Sequence, residues 1–249
     1  MIGTAAVASG FTFTKSNDQT GGKEIIELRE YELAFGGSQA TLNAYFKEAL
    51  IPALNKYGVS HVGAFSELGN FEPTKIYLLI PYPGITEYFK IPSQIAEDSD
   101  YLAASRNYHS LPLNNKVFNR FSTRLMVAFD GLPFLNAGFK GSGLYELRTY
   151  EGYNEDAVRR KILMFNQVEL EIFRNNELNP VFFGEVIAGP DLPYLTYMVA
   201  FKDMEERNKK WEKFGADPDW NRVKVLPEYA NTVSKIIKKF LEPLPYSQV

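Results

Sequence analysis

An α+β protein made of two copies of one sheet-and-helix unit is what this sequence predicts, on three observations. The stretch IELREY at 26–31 returns as YELRTY at 145–150. Further blocks return in the same order: GVSHVGAFSELG (58–69) as LNPVFFGEVIAG (178–189), IYLLI (76–80) as TYMVA (196–200), and DSDYL (98–102) as DPDWN (217–221). This alignment sets Tyr77 over Tyr197 and Tyr101 over Trp220. Within each copy, segments of period two and of helical period follow one another as β-α-β-β-α-β. A repeat this long marks a duplicated domain rather than a solenoid.

Each element has its own signal. In the first strand Ile26, Leu28 and Glu30 alternate with Glu27, Arg29 and Tyr31, the pattern of a half-buried strand. In SQATLNAYFKEALIPALNKYG, Leu42, Tyr45, Phe46, Ala49, Leu50, Ala53, Leu54 and Tyr57 recur at helical spacing. Ser38 is a cap for that helix, Gly58 its stop, and Pro52 a bend inside it. Strands at 59–66 and 75–80, a helix near 85–97, irregular chain, and a strand at 117–128 complete the first unit. The second has strands at 144–150, 180–187, 194–201 and 231–240, with helices at 155–176 and 203–214. Asp203 with Glu206 forms a capping box for the last of these helices.

The order is that of the ferredoxin-like split βαβ. Helices cover one face of each four-stranded sheet, so the other face needs a partner. Two sheets laid face to face close into a barrel and protect their edges. Duplication supplies that partner in cis; a second chain supplies it equally well in trans, and a homo-oligomer is expected. The organisation is then a flexible arm or clipped signal remnant at 1–22, repeat 1 at 23–128, a linker at 129–143 punctuated by Gly and Pro, and repeat 2 at 144–249 with a Pro-rich tail. Export to the periplasm follows from the first reading of 1–22 as a signal remnant, and a cytoplasmic location from the second.

Composition excludes several function classes. The 249 residues are 45% hydrophobic and carry a formal net charge of −3. That balance opposes a nucleic-acid partner, which needs a basic field against phosphate. No apolar run reaches the length of a membrane span. With no cysteine there is no disulfide, thiolate catalysis or Cys-based metal site.

The candidate site residues come from the strand echo. If Leu28 and Leu147 point to the helices, then Glu27, Arg29 and Tyr31, with Glu146, Arg148 and Tyr150, point into the space between the sheets. Buried Arg and Glu are costly unless paired, so they either line a polar pocket for an anionic or carbonyl-bearing molecule or bind each other. Glu169 falls in the apolar stripe of Val158, Ile162, Phe165 and Ile172. A carboxylate there is desolvated and suited to proton transfer, or neutralised by Arg148 or Arg174. Glu185 lies on a strand with the same ambiguity, and Tyr197 joins the candidates as a hydrogen-bond donor. His109, in the NYHSLP segment that only the first unit has, is the one residue placed to act as a haem ligand or lone general base. No cofactor is expected, with haem as the alternative.

The run EIFRNNELNPVFFGEVIAGPDLPYLTYMVAFKDMEERNKKWEKFGADPDW at 171–220, with YELRTY before it and FLEPLPYSQ after it, resembles the NIPSNAP family. The sequence departs from that pattern at Glu177, where the family has Gly at a helix end, and where Pro92 and NYHSLP expand the first unit. The resemblance implies a dimeric α/β-barrel fold, shared with cofactor-independent monooxygenases, haem-degrading enzymes and chlorite-dismutase-like proteins. It assigns no catalytic roles to the matching residues Arg148, Tyr150, Glu169, Phe183, Glu185, Tyr197, Arg207, Trp211 and Trp220. Two functions follow as expectations. In the first, the barrel holds a small organic molecule for metal-free monooxygenase- or isomerase-like chemistry, with Arg148 or Arg29 orienting it, Tyr31 lining the pocket, Tyr150 or Tyr197 donating a hydrogen bond, and Glu169 moving a proton. In the second, the protein is a binding or assembly module acting through protein–protein contacts.

Overall fold

The computed structural model describes residues 22–139 and 141–249. The expectation for 1–22 therefore lies, Gly22 apart, outside the described residues. The first unit runs β1 (Ile25–Leu33), α1 (Gln39–Tyr45), α2 (Ile51–Lys56), β2 (Gly63–Glu67), β3 (Lys75–Tyr82), α3 (Ile85–Ala96), α4 (Ser99–Ala104), α5 (Arg106–His109) and β4 (Phe118–Ala128). The second runs β5 (Leu144–Glu151), α6 (Glu155–Met164), α7 (Leu170–Asn175), β6 (Asn179–Ala188), β7 (Tyr194–Phe201), α8 (Met204–Ala216), α9 (Pro218–Val223) and β8 (Lys235–Pro243). The stretch expected to be irregular after α3 is instead helical. Asp98 and Asp217 each accept two backbone N–H groups and start α4 and α9.

The expected caps form. Ser38 accepts from the Thr41 N–H, and Gly58 ends the α2 turn at φ +91°. Asp203 accepts from the Glu206 N–H at 2.9 Å, while the Glu206 carboxylate reaches back to the Lys202 N–H rather than to Asp203 itself. Between α1 and α2, and again between α6 and α7, the helix passes through one π-helical turn, Phe46–Leu50 and Phe165–Glu169. Pro52 follows the first of these and Glu171 stands at the matching place after the second, so proline is not their cause. Each π turn seats its Phe in the core with no exposed surface.

The strands close into one barrel in the order β1-β3-β2-β8-β5-β7-β6-β4. Each unit contributes four neighbouring strands, and β2–β8 and β4–β6 are the seams between units. The partner sheet is thus supplied in cis. Ile26, Leu28, Phe65, Tyr77, Met126, Tyr145, Leu147, Met198 and Leu241 form a core inside the barrel. Two further cores lie outside it, one under each unit's helices.

The strand faces are the reverse of the sequence expectation. Leu28 and Leu147 point into the barrel, whereas Tyr31 and Tyr150 belong to the cores beneath the helices. Alternation places Arg29, Arg148, Glu27 and Glu146 on that same outer side. The physical reason is space. The narrow lumen of an eight-stranded barrel is filled by side chains of the two facing sheets. The helices, held off the sheet by their own side chains, leave room for long polar groups. The repeat register is corrected as well: Arg29 pairs with Leu78 where Arg148 pairs with Tyr197, so Leu78, not Tyr77, is the counterpart of Tyr197.

Candidate functional site

Arg148, Tyr150, Glu169 and Tyr197 come together between the second unit's sheet and its helices. β5 supplies Glu146, Arg148 and Tyr150, three successive residues of its outer face, and β7 sets Tyr197 opposite Arg148. The Arg148 guanidinium donates to Glu146 at 3.3 Å and to the Tyr150 hydroxyl at 3.1 Å, and the Tyr197 hydroxyl donates to that same Tyr150 oxygen at 2.8 Å. Trp211 of α8 lies on the guanidinium, 4.2 Å from its carbon to the ring centre. Glu146, without any exposed surface, also accepts from the Trp211 indole N–H at 2.7 Å and from Arg207 through two bonds of 2.9 Å. One donor is left over: the Arg148 Nε–H is buried and has no partner.

Glu169, at the end of the π turn, is 2% exposed. Its partner is Lys161 of α6, at 2.6 Å, rather than Arg148 or Arg174. Arg174 reaches the Gly131 carbonyl instead. Burial pushes the Glu169 carboxyl above its ordinary value, against the pull of Lys161 and Arg148. Burial likewise raises the Tyr150 hydroxyl, against Arg148, and takes Tyr197 well above the usual tyrosine range. The Lys161 ammonium lies over the Phe165 ring at 4.5 Å and the Trp220 ring at 5.3 Å. The constellation therefore combines a buried carboxyl whose proton affinity is raised, an ammonium paired with it, a phenol pair and a guanidinium with one free N–H.

The first unit holds the same frame with different contents. Arg29 forms a two-bond fork with Glu27, at 2.8 and 2.9 Å, and Glu27 also accepts from Thr123 at 2.9 Å. Tyr31 stacks on Phe121, 4.8 Å between centres. Where the second unit has Lys161 and Glu169, the first has the buried Leu42 and Leu50, one at the start and one at the end of the matching helical segment. Arg29 and Tyr31 thus stand in a separate layer on the far side of the barrel from Arg148. His109 belongs to that first layer: it is exposed, 3.4 Å from the Tyr101 hydroxyl, beside a Tyr45–Tyr108 stack with ring centres 3.9 Å apart. Glu185 joins neither layer, since its side chain is exposed on β6. Among the described residues no cluster of three or more His, Cys, Asp or Glu has metal-binding geometry. No helix there is long and apolar enough to cross a membrane.

Sequence reading missed Lys161 as a site residue, together with the pairing of Glu146 to Arg207 and Trp211. Lys161 had a usable signal. It stands in the α6 apolar stripe, two turns before Glu169, where a lysine is out of place unless it is paired. Arg207 and Trp211 sit a turn apart on a mostly charged helix, and only tertiary packing shows that they reach β5.

Two solved structures share this architecture. A candidate monooxygenase of Fusobacterium nucleatum superposes with a TM-score of 0.57 at 10% identity, over 90% of this chain and 93% of that one. A second candidate monooxygenase, from Lactobacillus acidophilus, gives 0.56 at 10% identity over 89% and 94%. At such identity the likeness is one of fold. A NIPSNAP family protein of unknown function from Agrobacterium tumefaciens is 21% identical over 42% of this chain and 91% of its own, with a TM-score of 0.38. No curated protein matches the chain. Residues 145–248 match the model of the NIPSNAP family.

Proposed function

We propose that this chain, a NIPSNAP-domain protein over residues 145–248, binds a small organic molecule with a carbonyl or carboxylate group in the layer between its second sheet and helices, and moves a proton on it. The observation that carries the reading is the Arg148 Nε–H, buried and unpartnered in the same layer as Glu169, whose carboxyl burial raises above its ordinary value. A buried donor without an acceptor costs about 1–3 kcal/mol, a cost that a bound oxygen removes. Arg148 is the orienting group, the Tyr150–Tyr197 pair donates to the bound molecule, and Glu169 with Lys161 exchanges the proton. α8 is the cover: the ligand reaches Arg148 when Trp211 swings off the guanidinium. Side chains do the acid–base work: proton transfer alone suffices for isomerase-like chemistry, and monooxygenase-like chemistry would need dioxygen as co-substrate, reduced by the deprotonated organic molecule.

Native mass spectrometry of the gently desalted protein tests this reading. A ligand mass should be retained by the wild-type chain and lost from Arg148→Met. No adduct in either, together with no thermal shift from a panel of small phenols, quinones and keto acids, would retire it. One observation favours a second reading. Phe183 stacks on Tyr197 at 4.7 Å, and Phe165 and Phe173 pack around them, so the layer is well filled with aromatic rings. A module that works through protein–protein contacts needs no more than that, and it is the reading left standing if the ligand search fails.

A further inference from the structure

The barrel lumen has two unlike ends. At one, Ile26, Leu79, Met126, Met198 and Ala200 form an apolar plug. At the other, Glu30, Glu67, Lys75, Arg124, Lys239 and the Tyr77 hydroxyl form an ion-pair cluster that joins the two units. Lys75 is committed to Glu30 at 2.6 Å. Lys239 is committed to the Tyr77 hydroxyl at 2.7 Å and to Glu67 at 3.3 Å. Arg124 is not: its one ion pair, to Glu30, is 3.4 Å long. Within this cluster three cations face two carboxylates, and the nearest acceptor of Arg124 is the most distant of the three.

Next to this cluster lies a cavity of about 90 Å³, reached from outside past the turn between β6 and β7. Leu28, Leu147 and Ile237 give it an apolar side, Arg124, Lys239, Thr149 and Tyr194 line it with donors, and Glu151 and Asp191 add two carboxylates. Tyr194 is 3% exposed, and its hydroxyl makes no hydrogen bond. A tyrosine kept only for packing has no use for that oxygen, and phenylalanine would fill the place without the desolvation cost. Two donor groups, one charged and one neutral, therefore line a small enclosed space shared by both units, and neither has a good acceptor.

We propose that this end of the barrel binds a small monocarboxylate, whose oxygens accept from Arg124 and the Tyr194 hydroxyl while its short apolar tail lies on Leu28, Leu147 and Ile237. The volume limits the ligand to a few carbon atoms. The lining itself carries two carboxylates, Glu151 and Asp191, beside Arg124 and Lys239, so it opposes a dianion. This site is on the opposite face of the sheet from Arg148 and Glu169, so it stands or falls independently of the function proposed above. Gly189, in the turn over the opening, has φ +159°, and a Cβ there would sit 3.1 Å from the Tyr194 hydroxyl and 3.5 Å from Arg124 Cγ.

Isothermal titration of the full chain with formate, acetate, propionate, butyrate and benzoate, in a carboxylate-free low-salt buffer, tests the proposal. Saturable binding is expected for the short acids, falling off at benzoate. Arg124→Met should weaken it by about tenfold or more, as expected for loss of a charge-assisted bond, and Tyr194→Phe by several-fold. Gly189→Ala should weaken it too. Tyr194→Phe removes no hydrogen bond from the ligand-free protein, so its unliganded melting temperature should be unchanged or higher, which separates a binding defect from a folding defect. Absence of saturable binding by every acid, leaving the cavity to water, would overturn the proposal. Equal affinity in wild type, Arg124→Met and Tyr194→Phe would overturn it as well.

Discussion

Lys161 and Glu169 form a buried ion pair at 2.6 Å in the second unit, at positions where the first unit has Leu42 and Leu50. The same frame thus tolerates either a salt bridge or two leucines. Breaking a buried pair by removing one partner leaves an uncompensated charge, whereas replacing both with apolar groups is often neutral. Glu169→Leu alone should therefore destabilise by about 3–5 kcal/mol, with Lys161 stranded. The double change Lys161→Leu/Glu169→Leu should recover most of that loss, as measured by urea unfolding. A double variant as unstable as the single one would mean that the pair supports this layer in a way that leucines do not. If the pair is kept for chemistry, the recovered stability should come with loss of the activity proposed for Arg148 and Glu169.

The helix ends make a second comparison between the units. α2 and α7 close with the same pair of bonds, Gly58 N–H to Asn55 and Val59 N–H to Leu54 in one, Glu177 N–H to Arg174 and Leu178 N–H to Phe173 in the other. This ending requires a left-handed residue, Gly58 at φ +91° and Glu177 at φ +57°. Glycine adopts that conformation freely, and a side chain with a Cβ costs about 1–2 kcal/mol there. The only ion pair of Glu177 among those formed by the described residues is to Lys213, exposed and 3.5 Å long, and such a contact is worth little. Glu177→Gly is expected to stabilise the protein by about 1 kcal/mol and raise its melting temperature by about 2–4 °C. A lower melting temperature would show that Glu177 does more than end the helix. In the sequence Gly58 reads as a helix stop, and Glu177 stands out as a departure from the pattern that the chain resembles. The π turns were not visible, because a single extra residue per turn hardly disturbs an apolar stripe read by spacing alone.

The closed barrel ties the two units through charges as well as strands. Burial acts to raise the Glu30 carboxyl, but the hydrogen bond from Lys75 and the charges of Lys239 and Arg124 outweigh it and hold Glu30 below its ordinary value. Lys75 and Arg124 belong to the same unit as Glu30 and Lys239 to the other, so part of this stabilisation crosses the seam. A carboxyl lowered in the folded state binds its proton more weakly there than in the unfolded chain. Its contribution is present above the unfolded value of about 4.3 and fades as pH falls through the lower folded value. Glu30→Gln should be less stable than wild type at pH 7, with the gap narrowing as pH falls below the unfolded carboxyl value of about 4.3 in urea titrations. A gap that stays constant with pH would place the loss in packing rather than charge.

The amino-acid order was sufficient for the duplicated β-α-β-β-α-β plan, the caps at Ser38 and Asp203, and the grouping of Arg148, Tyr150 and Tyr197, because these rest on local periodicity and on a repeat that compares the chain with itself. It did not say which face of each strand is inside. Alternation divides Leu28 from Arg29 and Leu147 from Arg148, but either set can face the helices when both layers are covered. Closure of eight strands around a narrow lumen settled that choice, placing the leucines within and the arginines under the helices. The same closure brought Lys239 to Glu30 and left Tyr194 beside Arg124, pairings between distant stretches for which one chain, read alone, carries no local signal.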